Sequence, residues 1–264
     1  MSAPVTRALV TGAAGGIGRA VCFELLSDAK RRGRKLVIAA ADQVPAAVER
    51  LATELRDAGA QAHACAADVS NPDDCARLGK EAIDKCGGLD VFASVAGIIR
   101  PGALDGLELA AWDLAFNVNV RATWLIARTV RTALAESRGA VVAIASMAGL
   151  FPFPDLGAYS SSKAALIMMC RQLAQEWSGD GIRVNTISPG LIRTPLTESL
   201  YADSDVERRR TEFVPLHRIG TPEDIARAVV GLAGPDFGYA TGIDLRMDGG
   251  VCDRLLGTVP GKPQ

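Results

Sequence analysis

Tyr159 and Lys163 stand four residues apart in Ala158-Tyr159-Ser160-Ser161-Ser162-Lys163-Ala164. On a helix such a pair shares one face, with Cβ atoms about 5–6 Å apart. A free phenol titrates near pH ~10, too high for a useful base at neutral pH, and a fixed ammonium beside it stabilises the phenolate and lowers that value. The pair therefore predicts proton transfer to and from an oxygen. Taken alone the pattern is common, because lysine stems often lie over aromatic rings. Ser146, in Ile144-Ala145-Ser146-Met147-Ala148-Gly149, closes an apolar run of strand character. Its hydroxyl would emerge at the carboxyl edge of a sheet, where open α/β folds bind ligands, and could hold a substrate oxygen.

A second constellation lies near the start, where Thr11-Gly12-Ala13-Ala14-Gly15-Gly16-Ile17-Gly18-Arg19 joins a strand-like run to an amphipathic segment. Glycines serve two purposes in such a turn. They reach positive φ without a Cβ clash, and they let a pyrophosphate approach the free N–H groups of the helix N-terminus. Gly12, Gly16 and Gly18 are the expected contacts. The next run ends in Ala39-Ala40-Ala41-Asp42, placing a carboxylate where the adenosine ribose would lie. A carboxylate accepts from ribose hydroxyls and repels a 2′-phosphate, so Asp42 favours NAD over NADP, with NADP the lesser alternative. Arg19 is the counterweight: it either meets a phosphate or is solvated. Asp68-Val69 is expected to bracket the adenine, unless Asp68 only caps a helix.

These groups need a scaffold. Apolar runs at residues 6–10, 35–41, 61–66, 89–95, 140–145, 182–187 and 243–247 are nearly continuous rather than alternating, as strands buried on both faces require. Amphipathic segments at 18–27, 46–58, 72–86, 109–136, 158–177 and 222–232 separate them, some opening on a capping residue and proline as in Asn71-Pro72 and Thr221-Pro222. The expectation is one α/β domain over residues 1–264, a Rossmann-type doubly wound fold with a seven-stranded parallel sheet and helices on both faces. Residues 194–221 break the rhythm and are expected to form a substrate lid.

With 29 basic and 30 acidic residues, the chain has no field that would gather nucleic acid or anionic lipid. It has no basic-then-apolar leader and no apolar run approaching the ~20 residues that span a bilayer, so no membrane partner and a cytoplasmic location are expected. The six cysteines form no Cys-x-x-Cys pair and are expected to be structural thiols; His63 and His217 are the only histidines, and no metal site is expected.

Together these features resemble the short-chain dehydrogenase/reductase family from about residue 6 to residue 250. The family's glycine turn matches residues 11–18, Ile17 included, and Asp42, Asp68-Val69, Ser146, Tyr159 and Lys163 fall on its pattern. The resemblance implies that Asn119 holds a water linking the lysine to solvent, and that Lys163 also contacts the nicotinamide ribose. It further implies that Pro189, Gly190, Ile192 and Thr194 meet the nicotinamide amide, and that the chain ends its fold at Asp248-Gly249-Gly250. The implied reaction is NAD(P)-dependent hydride transfer between a secondary alcohol and a ketone, with Tyr159 as general acid/base.

The chain departs from the family at Ser94-Val95-Ala96-Gly97, where Asn-Asn-Ala-Gly is usual. Ser94, Ala96 and Gly97 are still expected at the cofactor floor, with Ser94 able to keep one hydrogen bond and Val95 able only to pack. A second departure, around residues 30–35, leaves the start of the second strand open. The substrate is expected to meet Ile98, Arg100, Met147, Phe151, Phe153, Leu191, Leu196 and Tyr201, mostly apolar, although Arg100 or Arg193 could hold a carboxylate or sulfonate. The resemblance implies a homotetramer, and Trp124, Leu166 and Met169 are candidate contacts. The rival readings are a catalytically idle dinucleotide-binding sensor or scaffold, and a dehydratase or epimerase that uses the nucleotide transiently.

Overall fold

A computed structural model describes residues 4–195 and 197–254. Seven strands, β1 (Val5–Thr11), β2 (Lys35–Asp42), β3 (Gln61–Ala66), β4 (Val91–Ser94), β5 (Ala140–Ile144), β6 (Arg183–Pro189) and β7 (Asp244–Met247), form one sheet ordered β3-β2-β1-β4-β5-β6-β7. Every neighbouring pair is parallel. Chain order reverses between β1 and β4, and such a switch point opens a crevice beyond the strands' carboxyl ends.

Successive strand residues face opposite sides, so each strand feeds two cores. Leu9, Phe92 and Val141 pack with α3 (Pro72–Cys86), α5 (Ala122–Ser137) and α6 (Tyr159–Trp177) through Leu78, Ile126 and Leu166. Their chain neighbours Val10, Val91 and Val142 pack with α1 (Gly16–Arg31), α2 (Pro45–Asp57) and α8 (Pro222–Ala233) through Val21, Leu51 and Val229. Covering both faces is what the continuous apolar runs require. The cap signals also hold. Asn71 accepts from the Asp73 amide at 2.8 Å before Pro72, and Thr221 and Asp224 form a reciprocal capping box on α8.

The expected long helix over 109–136 is divided. It consists of α4 (Leu109–Phe116), a π-helical turn (Asn117–Arg121) and α5, and the wider turn carries the buried Asn119. Hydrophobic periodicity cannot register one extra residue in a turn. Residues 194–221 contain α7 (Ser204–Phe213), which the sequence reading left as an irregular lid; Asp203 caps it through the Asp205 and Val206 amides. Around residues 30–35, where the start of the second strand was left open, α1 runs on to Arg31 and the chain turns at Gly33 (φ 65°), so β2 starts at Lys35. Leu166 belongs to the core at 2% exposed, whereas Trp124 is 40% exposed.

Among the described residues no helix is long and apolar enough to cross a membrane. The six cysteines are free thiols, five of them buried.

Candidate active site

The loop after β1 turns at Gly12, whose φ of +62° suits glycine and whose absent side chain is required, since a Cβ there would lie 2.8 Å from the Ala96 backbone. Gly18 is equally constrained, because a Cβ would fall 2.0 Å from the Gly12 carbonyl. The turn therefore packs directly against the end of β4 and delivers the chain into α1. No side chain caps that helix, whose N-cap is Gly15. Its N-terminus faces a cleft of about 430 Å³ lined by Gly12, Gly16, Ile17, Gly18 and Asp42. Asp68, Val69, Ala96, Gly97 and Thr194 complete the expected set within that lining.

Asp42 ends β2 and turns its carboxylate back over the glycine turn. One oxygen accepts from the Ala14 amide at 3.0 Å and the other from the Val44 amide at 3.3 Å. Arg19 leaves the cleft. Its guanidinium pairs with Glu54 at 2.6 Å and lies over the Phe23 ring, 4.6 Å from its centroid. The Asp68 side chain accepts from the Ser70 amide in a local turn while the residue also borders the cleft; the cap of α3 is Asn71, not Asp68.

Besides Tyr159 and Lys163, four residues expected at the cofactor do not line the cleft. Ser94 is 5% exposed and its hydroxyl bonds Thr123 Oγ1 on α5 at 2.7 Å. The missing amides are thus replaced by a strand-to-helix bond, while Thr11 Oγ1 takes the Val95 and Ala96 amides at 3.2 and 3.4 Å. Pro189 ends β6 in the sheet, and Gly190 packs against the Asp248 backbone, where a Cβ would lie 2.6 Å from Cα. Ile192 borders a separate cavity of about 460 Å³ with Leu191 and Met247. Ala14, Gln43, Val44, Val118 and Pro195 also line the cleft without having been expected there, and Ile98, expected at the substrate, borders it too. Their positions are set by the turns after the strands and, for Val118, by the π-helical turn, which carry no side-chain signature. Pro195 sits over the glycine turn, and a Cβ on Gly16 would come within 2.9 Å of its Cδ.

The Ser146, Tyr159 and Lys163 group lies behind Gly97 of this cleft. Ser146 follows β5 and starts a short 3-10 turn, its hydroxyl accepting from the Ala148 amide at 3.1 Å. Tyr159 opens α6 and is half-buried. Burial pushes its phenol above the ordinary value, and hydrogen bonding to the Ser146 hydroxyl acts in the opposite direction. Lys163 is 3% exposed; its Nζ donates to the Ile144 carbonyl at 2.7 Å and lies 5.7 Å from the Tyr159 ring centroid. Burial depresses this ammonium to about 8. The lysine expected beside the phenol thus shares its face, while its ammonium is held by the carbonyl at the end of β5.

Asn119 is 1% exposed and uses its whole amide. Its Oδ1 accepts from the Ile98 amide at 2.9 Å, and its Nδ2 donates to the Ile98 carbonyl and to Ser162 Oγ, both at 3.0 Å. A Cβ on Gly97 would lie 3.2 Å from Lys163 Nζ and 3.3 Å from Asn119 Oδ1. Gly97 thus separates the cleft from the lysine by one backbone. An uncapped helix N-terminus, a turn without space for side chains and a carboxylate at the tip of β2 fit a dinucleotide. Among the described residues no group of three or more His, Cys, Asp or Glu side chains could hold a metal.

In the segment between Ser146 and Tyr159, Phe151 and Phe153 are 44% and 47% exposed and Met147 is half-buried. Leu191 faces the separate cavity, and Leu196 lies outside the described residues. Tyr201 is 5% exposed, sandwiched between the Arg193 and Arg210 guanidiniums. Arg193 also pairs with Glu207 at 3.0 Å and Glu198 at 3.7 Å, so its charge is spent inside the segment.

Residues 12–252 match the sequence model of the family described as enoyl-(acyl carrier protein) reductase. The chain is 35% identical over 247 residues to 2-(S)-hydroxypropyl-CoM dehydrogenase 3 of Xanthobacter autotrophicus, covering 92% of this chain and 94% of that protein. Among solved structures, 7α-hydroxysteroid dehydrogenase complexed with NADH and 7-oxo glycochenodeoxycholic acid superposes with a TM-score of 0.86 at 28% identity, covering 93% of each chain. The RhlG/NADP active-site complex of Pseudomonas aeruginosa gives 0.85 at 28% identity, over 95% of this chain and 97% of that one. With the parallel sheet, the glycine turn and these relatives in agreement, the chain belongs to the short-chain dehydrogenase/reductase family of oxidoreductases.

Proposed function

We propose that the protein interconverts a secondary alcohol and a ketone with NAD(H), and that Tyr159 is the general acid/base. The convergence of Ser146, Tyr159 and Lys163 one backbone away from the dinucleotide cleft, at Gly97, carries this reading. A bound nicotinamide supplies the hydride acceptor or donor. The chain's own groups supply the rest. Ser146 holds the substrate oxygen, and the Tyr159 phenol takes its proton in oxidation or returns it in reduction. Lys163, positioned on Ile144, provides positive charge behind the phenol, and Asn119 fixes the Ile98 turn beside it. Both a hydroxypropyl-CoM and a hydroxysteroid, named for the two relatives, are secondary alcohols, which supports the substrate class.

The nucleotide preference rests on Asp42 together with Arg19. The carboxylate borders the cleft, and the one arginine on the first turn of α1 is committed to Glu54 and Phe23. A 2′-phosphate would meet negative charge there without a compensating cation. Residues 194–221 act as the lid over the substrate, and the exposed Phe151 and Phe153 between Ser146 and Tyr159 favour a hydrophobic substrate. Exposed Trp124, beside Phe116 and Met169 in one surface groove, supports assembly into a homotetramer. The test is a panel of secondary alcohols and ketones offered with NAD(H) and with NADP(H), following the absorbance of the reduced nicotinamide. Turnover preferring NAD is expected; tight nucleotide binding without turnover on any substrate would favour the idle sensor.

A further inference from the structure

Ser162 lies between the two residues the proton chemistry uses, and no role has yet been given to it. It is 0% exposed, on the first turn of α6. Its hydroxyl donates to the Tyr159 carbonyl at 2.7 Å and accepts from Asn119 Nδ2 at 3.0 Å. A serine bonding the carbonyl three residues back is ordinary within a helix and by itself only competes with the helical ladder. The second bond is different, because it comes from the π-helical turn of another element, whose Asn119 also clasps both the amide and the carbonyl of Ile98. Ile98 borders the dinucleotide cleft. One continuous set of bonds therefore runs from the cleft wall through Asn119 and Ser162 to the backbone of Tyr159.

We infer that Ser162 is a positioning residue for the acid/base, tying the first residue of α6 to the cleft wall so that the Tyr159 phenol stays aligned with the Ser146 hydroxyl. The inference rests on the proposed role of Tyr159. A buried alanine at this position would remove both bonds, leave Asn119 Nδ2 with Ile98 alone and free the start of the helix. Misplacement of a reacting group by about 1 Å is enough to cost orders of magnitude in rate. The same loosening would weaken the Ser146–Tyr159 hydrogen bond, which holds the phenol's pKa down against burial, so the sign of the pH effect is fixed as well.

The experiment compares Ser162→Ala, Ser162→Thr, Ser162→Cys and Tyr159→Phe in the full chain, with steady-state alcohol oxidation across pH and nucleotide binding by NADH fluorescence. Ser162→Ala is expected to lower kcat at least about tenfold, to move the pH midpoint of kcat upward and to leave the nucleotide Kd within about twofold. Ser162→Thr should restore most of kcat because it keeps the hydroxyl, and Ser162→Cys, nearly isosteric with a weak donor, should fall between. Wild-type kcat and pH profile in Ser162→Ala would overturn the inference. So would a parallel loss of kcat and nucleotide affinity, which marks a general packing role. If Tyr159→Phe turns over like the wild type, the acid/base reading itself has failed; if only Ser162→Ala is silent, the failure belongs to this inference alone.

Discussion

Lys163 Nζ donates to the carbonyl of Ile144 at 2.7 Å, so the ammonium hangs from the end of β5 instead of from the phenol one helical turn away. Helical spacing brings Tyr159 and Lys163 to one face, and the strand end then captures the charge. The Tyr159 phenol answers to burial above all, and sits above its ordinary value. The chain has three tyrosines, which makes the site separable by difference. Subtracting the rapid alkaline titration of Tyr159→Phe from that of the wild type should isolate a midpoint above about 10. Ser146→Ala should push it higher, since the serine's hydrogen bond lowers it. A midpoint below about 10 without nucleotide would restore the direct lysine effect.

The Asp42 carboxylate has two tasks, holding the Ala14 amide and bordering the cleft. Asp42→Asn keeps an oxygen for Ala14 while removing the charge, so the turn should survive. The ratio of kcat/KM for NADP over NAD should rise at least about tenfold, as expected when a like-charge contact worth a few kcal/mol is relieved. Glu54→Gln on that background frees Arg19 and should raise the ratio further. An unchanged ratio in Asp42→Asn would remove the carboxylate from the ribose site.

Ser94 and Thr123 join β4 to α5 through two buried hydroxyls 2.7 Å apart. Thr123→Val is close in shape but strands the Ser94 hydroxyl, and should destabilise the fold by about 1–3 kcal/mol in denaturant unfolding. Ser94→Ala combined with Thr123→Val should cost less than the sum of the two single changes, because the second leaves no orphan. Additive losses would mean the bond contributes nothing.

Much of this was legible in the residues. Continuous apolar runs located all seven strands, because a strand covered on both faces needs no polar alternation, and Asn71-Pro72 fixed the start of α3 without adjustment. What escaped has physical causes. The π-helical turn at Asn117–Arg121 leaves hydrophobic periodicity almost intact, and α7, none of whose residues is buried, has no core-facing stripe to betray it. At the site, glycines and carboxylates advertised themselves by type. Ser94, Pro189, Gly190 and Ile192 were expected from the family pattern alone, and their contacts with Thr123, the sheet, Asp248 and a neighbouring cavity carry no signature in the residue types. Arg19 and Arg193 had unassigned partners in the sequence, since Glu54 and Glu207 are brought to them only by the packing of other helices.

The central claim is that one phenol moves the substrate proton beside a bound nucleotide. Tyr159→Phe removes that hydroxyl and little else, so the decisive measurement is its turnover with the best alcohol found, set against its affinity for NADH. The account predicts an NADH Kd within about twofold of wild type and a kcat lower by at least about a hundredfold. A variant that binds NADH normally and still oxidises the alcohol at the wild-type rate would contradict it.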